Sequence, residues 1–416
     1  MKTAPLFLTL LFLPCLVAAQ SLNKNVPEYD FARFDRNRIT LFADSSAFER
    51  LFDKMDSIFF LGKGHLQIVH MGGSHVQAGT FTGSLRNNLL SLQPGLDGGR
   101  GLVFPFSAAG TNNPSSFLAG HTGIWRAAKN TQANPGKRLG LTGMALSTSD
   151  RRASVTLTTI PRDPKPGDPV FRFNRVRVLG YSSEGDRAPM VLVGPRDTLY
   201  GVPMPEEAGW VFDMPMLTDS VRIAVTGTSG EWTLTGIFLD NPFPGITVSE
   251  IGVNGASLVS YSRCQDLQRD LKLLSPDLAI LAIGINDATG TDFSEEVFLQ
   301  RYRRLVEEIR TANPDCAILF VTNNDSFRRI RRRVYRVNTN GALVENIFLQ
   351  LGREYNAGVW NLFDIMGGTG SMAKWEAASL AKADKVHFTE EGYRLLGDLL
   401  FNALMDRYVE HMKNTR

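Results

Sequence analysis

The sequence predicts an α/β fold with a mostly parallel sheet, interrupted by an inserted β-sandwich. Two observations carry this. In the first and last thirds of the chain, short apolar runs alternate with stretches of helical spacing, the pattern of parallel strands covered on both faces by helices. From about Gly98 to Asn241 helical spacing nearly disappears. Short strand-like runs punctuated by Gly, Pro, Asp and Ser replace it, as in a sandwich of roughly 140 residues.

In chain order, residues 1–19 read as a signal peptide. Lys2 gives the positive start, residues 6–17 are almost continuously apolar, and Val17 and Ala19 are small enough to precede cleavage before Gln20. No other run is long and apolar enough to span a bilayer. Residues 66–71 predict a buried strand and 77–90 the helix after it. The sandwich candidates follow at 155–160, 170–179, 190–193, 210–214, 221–225 and 232–239. Strands at 246–251, 278–283, 317–322 and 358–363 then alternate with helices at 258–274, 293–312 and 338–355. A last helix at 390–411 is capped by Thr389, with Glu390 and Glu391 at its positive end. The expected division is 1–19, 20–97, an inserted 98–243, and 244–416. The insertion falls between the first two strands of the parallel sheet, where a surface loop with close ends tolerates it.

Composition narrows the function. At 21% charged and 43% hydrophobic, the chain has no character of wholesale disorder. Its net charge of +3 gives no support to bulk nucleic-acid binding. The run Arg328, Arg329, Arg331, Arg332, Arg333, Arg336 is local; it reads either as a solvated helix face or as an anion-attracting rim. Cys264 and Cys316 read by default as small buried hydrophobes, with a disulfide between them in an oxidising compartment as the alternative. The six histidines form no zinc pattern, Gly72-Gly73 no phosphate loop, and no metal or organic cofactor is required.

Three polar segments at the edges of apolar runs carry the chemistry. Gly72-Gly73-Ser74-His75 follows the first strand, Gly284-Ile285-Asn286-Asp287 follows 278–283, and Asp384-Lys385-Val386-His387 precedes the last helix. They supply a hydroxyl nucleophile, an amide donor and an Asp/His pair, which suits ester hydrolysis. Small residues before Ser74 allow a tight strand-to-helix turn. His75 is not the expected base, because adjacent side chains point apart; His387 oriented by Asp384 is.

With Gly252-Val253-Asn254-Gly255-Ala256, these segments resemble the ordered blocks of the SGNH/GDSL hydrolase superfamily. The resemblance implies a three-layer hydrolase fold, with Ser74 as nucleophile, His387 as base and Asp384 as its orienting acid. It also implies an oxyanion hole from the Ser74 and Gly255 backbone N–H groups and the Asn286 side chain. One departure is Gly73, where the common first block has Asp. Ser74-His75-Val76-Gln77-Ala78-Gly79, the stretch 99–105, the sandwich and the segment 362–368 with Trp375 resemble secreted bacterial proteins related to peptidoglycan O-acetylesterases. That narrower likeness implies a periplasmic or extracellular esterase acting on acylated carbohydrate, with O-acetylated peptidoglycan foremost. An O-acetyltransferase, an acetylxylan-type esterase and a non-catalytic carbohydrate-binding protein are the other readings. Asn323, Asn324, Asp325, Arg328 and Trp375 are the expected substrate contacts; Trp210 and Trp232 are expected in the core.

Overall fold

The structure is a computed structural model that describes residues 22–415, apart from 162, 165–168, 184, 194–196 and 333. The segment read as a signal peptide lies outside the described residues. The central sheet has six strands in the order Ile39–Thr40, Gly358–Trp360, Ala317–Val321, Leu278–Ala282, His65–Gly72 and Gly245–Gly252. Neighbours pair in parallel except at Ile39–Thr40, an antiparallel edge.

Successive strand side chains point to opposite faces, and parity divides this sheet cleanly. Leu66, Ile68, Leu278, Ile280, Leu319 and Val321 enter one core with residues of the helices Ser46–Leu61, Thr80–Leu90 and Glu390–Thr415. Val69, Met71, Ala279, Leu281, Ile318 and Phe320 enter the other, with residues of Leu267–Leu274, Glu295–Ala312 and Asn340–Tyr355. The result is a helix–sheet–helix sandwich, and each such fully buried Leu or Ile contributes about 1.5–3 kcal/mol of hydrophobic stabilisation.

Between His65–Gly72 and Gly245–Gly252 the chain builds two antiparallel sheets. One orders Asp197–Tyr200, Pro189–Val193, Ser220–Val225, Ser154–Thr158 and Leu118–Thr122; the other centres on Phe173–Ser183 and Glu231–Asp240. Val155, Val191 and Ile223 of the first share a core with Val176, Val178 and Leu234 of the second. That core is continuous with one face of the parallel sheet. The junction is also polar. Glu250 on the edge strand is buried between Arg86 of Thr80–Leu90, at 3.0 Å, and Arg100, which leads into the insertion.

Several expectations shift. The helix expected over 77–90 is two, Ser74–Gln77 and Thr80–Leu90, and that over 258–274 is Leu258–Tyr261 and Leu267–Leu274. The arginine run is not a helix face. It forms an antiparallel ribbon, Phe327–Arg331 with Val334–Val337, because Phe327, Ile330, Val334, Tyr335 and Val337 supply the β-branched and aromatic residues that strands favour. Cys264 and Cys316 are unpaired and buried. Among the described residues, no helix is long and apolar enough to cross a membrane.

Candidate active site

Three adjacent parallel strands end level with one another. Gly72 pairs with Gly252 on one side and Ala282 on the other. The loops that follow therefore leave the sheet together at its carboxyl edge, where open α/β sheets place their ligand sites. Ser74 starts the short helix after the first strand, Gly255 lies in the loop after the second, and Asn286 in the helix Ile285–Ala288 after the third. Gly284 makes that last turn with φ +132°, and a β-carbon there would lie 2.8 Å from Phe298.

The fourth contributor arrives from the far end of the chain. Ser74 Oγ lies 2.7 Å from His387 Nε2, and His387 Nδ1 lies 2.8 Å from Asp384 Oδ2. The other Asp384 oxygen accepts the backbone N–H groups of Val386 (3.0 Å) and His387 (2.9 Å), an Asx-type turn. Lys385 sits at φ +56° inside this turn, bringing both ends of Asp384–His387 onto one side. Partial burial alone would raise the Asp384 pKa. The hydrogen bonds from the His387 ring and from these two amides outweigh it and hold the carboxyl well below its usual range. Asp384 is thus an anion wherever the imidazole must be oriented.

The loops after the other two strands carry the expected donors. Asn286 Nδ2 donates to the Ala256 carbonyl at 2.8 Å, which fixes the amide plane and leaves its second hydrogen. Gly255 is exposed at φ +80°, and a β-carbon there would meet nothing nearer than Thr131 Cγ2 at 4.0 Å. Asp287 accepts the Leu258 N–H at 3.0 Å, tying the Gly255 loop to the Asn286 helix. Burial, partly offset by that bond and by Arg301, raises the Asp287 pKa to about 6. At Gly73, a β-carbon would meet the Ala256 carbonyl at 3.3 Å and Asn286 Nδ2 at 3.5 Å. The position where the common pattern has Asp therefore adjoins the Asn286 amide.

His75 packs beside this chain of bonds without joining it, its ring centroid 5.3 Å from that of His387. It is buried, with Nδ1 at 2.7 Å from the Tyr393 hydroxyl. Burial first, then the neighbouring His387, lower its pKa to about 3, so it stays neutral. The expected substrate contacts are placed differently. Asn323, Asn324 and Asp325 are buried; Asn324 Nδ2 donates to the Val386 carbonyl and Asp325 accepts the Met372 N–H. Asn324 thus ties the end of the Ala317–Val321 strand to the His387 loop, and Asp325 ties it to the helix Met372–Ala377. Trp375 is fully buried and donates to the Met366 carbonyl, so its ring is core rather than pocket wall. Arg328 lies on the arginine ribbon. Trp232 is buried and Trp210 packs against the same core.

Sequence reasoning assigned no role to Gln77. It is 1% exposed, accepts the Asn254 N–H at 2.6 Å, and donates to Thr111 and the Asn112 carbonyl. One side chain thereby joins the Ser74 helix, the Gly255 loop and the inserted region. Its spacing of three from Ser74 was the available signal.

Residues 231–395 match the GDSL-like Lipase/Acylhydrolase family. The chain carries a GDSL-like acylhydrolase domain. This hydrolase domain's matched span holds Gly255, Asn286, Asp384 and His387 but stops short of Ser74, which the fold brings to them. A solved structure of a peptidoglycan O-acetylesterase superposes with a TM-score of 0.73 at 26% identity, covering 89% of this chain and 99% of that one. Weaker likenesses are an acetyl xylan esterase (TM-score 0.30, 20% identity, 38% of this chain and 80% of that one) and a family two carbohydrate esterase from Cellvibrio japonicus (0.28, 12%, 71% and 100%). No curated protein matches by sequence. Together these likenesses support a carboxylic ester hydrolase.

Proposed function

We propose that this acylhydrolase is a periplasmic or extracellular esterase that removes O-acetyl groups from a polysaccharide, foremost peptidoglycan, through an acyl-enzyme on Ser74. The observation that carries the reading is the Ser74–His387–Asp384 chain of short contacts at the carboxyl edge of the sheet. The likeness to a peptidoglycan O-acetylesterase, which extends over the inserted sheets as well as the hydrolase layers, supports the substrate.

In this mechanism, His387 Nε2 takes the Ser74 hydroxyl proton as Oγ attacks the acetyl carbonyl carbon. The π electrons move to the carbonyl oxygen. That oxyanion is met by the Ser74 and Gly255 N–H groups and by the free hydrogen of the Asn286 amide. Collapse breaks the bond to the sugar oxygen, and the proton on His387 passes to it. The free sugar hydroxyl leaves, with acetyl on Ser74. Water, deprotonated by His387, then attacks the acyl carbon and releases acetate and Ser74. Asp384 stabilises the imidazolium in both halves without taking its proton.

The test compares acetate release from O-acetylated peptidoglycan and from acetylated xylan by the parent and by Ser74→Ala. Serine-dependent release from peptidoglycan supports the reading. Release from xylan alone replaces the substrate, and release that survives Ser74→Ala removes the mechanism.

A further inference from the structure

The arginine ribbon is unused by the chemistry above. Residues 326–337 hold six arginines and no Asp or Glu. The whole chain has 45 Lys and Arg against 42 Asp and Glu, so without these six its balance would change from +3 to −3. The cationic character of the protein is concentrated in one hairpin.

That hairpin is rooted in the active site on both sides. At its start, the Phe327 N–H donates to the Lys385 carbonyl at 3.0 Å, inside the turn that carries His387. At its end, the Asn338 side chain donates to the Ala288 carbonyl at 3.2 Å, on the helix that carries Asn286. From this base Phe327–Arg331 pairs with Val334–Val337. Five residues of strand extend about 15 Å. Arg329, Arg331, Arg332 and Arg336 are exposed. Register sets Arg328 opposite Arg336 and Arg331 opposite Val334, so Arg328, Arg331 and Arg336 share a face. Cross-strand like charges cost stability, and among the described residues no carboxylate pairs with any of these arginines. Arg328 Nε is buried without a partner. A stretch of chain that folds against its own repulsion, at the rim of a catalytic site, calls for an external anion.

We propose that the ribbon formed by Phe327–Arg331 and Val334–Val337 is a docking arm for a carboxylate-bearing glycan strand, holding the acidic groups of the polymer whose ester enters the Ser74 site. The proposal rests on the reading of that site as a polysaccharide esterase. Charge complementarity and shared anchoring favour this occupant, because a molecule gripped there is continuous with one held between His387 and Asn286. A membrane surface fits less well: Ile330 and Val334 are the only large apolar side chains standing exposed on the ribbon, too little for interfacial burial. Nucleic acid fits less well because the rest of the chain is net acidic.

The experiment has two arms. The first measures kcat/KM for O-acetylated peptidoglycan and for p-nitrophenyl acetate, and takes their ratio. The triple variant Arg329→Gln, Arg331→Gln, Arg336→Gln is expected to lower the ratio about tenfold or more through KM, since each exposed contact is worth up to a factor of roughly five. The matching Lys variant is expected to recover most of it. An unmoved ratio overturns the proposal, as does a Lys variant as impaired as the Gln one.

The second arm needs no turnover. The full chain carrying Ser74→Ala is bound to peptidoglycan, to the same material with its carboxyl groups amidated, to vesicles rich in anionic phospholipid, and to duplex DNA. Expected is retention on native peptidoglycan that weakens with salt, with amidation and with the Gln variant. Equal retention on amidated material overturns the proposal, and arginine-dependent binding to vesicles or DNA of equal strength reassigns the arm. Carboxylate-dependent binding in this arm, with no acetate release by the parent in the first, would sustain the arm while removing the esterase reading.

Discussion

Replacing Glu250 with Gln tests how the inserted sheets are held to the hydrolase layers. Glu250 accepts from Arg86 and Arg100, and the three side chains are 3%, 1% and 0% exposed. Burial on its own would raise the Glu250 pKa, but the two guanidiniums overcome this and hold it below the ordinary value. In Glu250→Gln the shape remains and the charge is gone. One amide oxygen must serve two cations, and the amide NH2 faces a guanidinium. Breaking a buried pair in this way costs about 3–5 kcal/mol. For a chain of 416 residues that corresponds to a fall in Tm of roughly 4–6 °C. The sign with pH follows from the depressed folded pKa. The stability Glu250 contributes is present above the ordinary carboxylate value of 4.5 and is lost as pH falls through the folded value. The gap between parent and variant should therefore be widest near neutrality and close on acidification. Urea unfolding across that range measures it, with amide exchange at Gly101–Val103 reporting whether the junction opens first. A cost under about 1 kcal/mol at neutral pH, or a gap that does not close in acid, would refute the reasoning.

Asp384→Asn should lower kcat for acetate release by roughly 10³–10⁴-fold. The Val386 and His387 amides will claim the Asn oxygen, turning its NH2 toward His387 Nδ1 and forcing the imidazole proton onto Nε2; a small loss would contradict that tautomer argument. Gln77→Ala removes the acceptor for the Asn254 N–H, so kcat should fall about tenfold with the fold retained by circular dichroism; an effect confined to KM would place Gln77 in substrate binding instead. Asp287→Asn keeps an acceptor for the Leu258 N–H and removes the ionisation that burial opposes. Because the folded pKa is raised to about 6, the stability tied to Asp287 is lost as pH rises through that value. Denaturation should show the variant more stable at pH 8 by up to roughly 3 kcal/mol, the advantage shrinking below pH 6; equal stability at pH 8 would count against the assignment.

The parallel sheet was legible because its strands are apolar on both faces, so runs such as 278–283 stand out against the helical spacing around them. The helix Ser46–Leu61 was passed over although Phe48, Leu51, Phe52, Met55 and Ile58 are buried at helical intervals. Of the two readings of the arginine run, the helix face fails because the interleaved Phe, Ile, Val and Tyr favour strands. In the candidate site, Ser74, Asn286, Asp384 and His387 were legible as polar residues at the edges of apolar runs, where a buried element must end. Asn324, Asp325 and Trp375 were not, because proximity in sequence says nothing of which side of a loop a group occupies. All three are buried, with Asn324 bonded to the His387 loop, Asp325 to Met372 and Trp375 to Met366. Gln77 carries no charge, and membership of the segment 74–79 with its spacing from Ser74 gave it no role of its own; the backbone N–H it meets in space does.

The most direct measurement is mass spectrometry of the enzyme quenched during turnover of O-acetylated peptidoglycan. An acetyl group on the peptide containing Ser74, absent in His387→Ala, is the expected result. Acetate release at the parent rate with no acetyl ever found on Ser74, or with acetyl on another residue, would contradict the account.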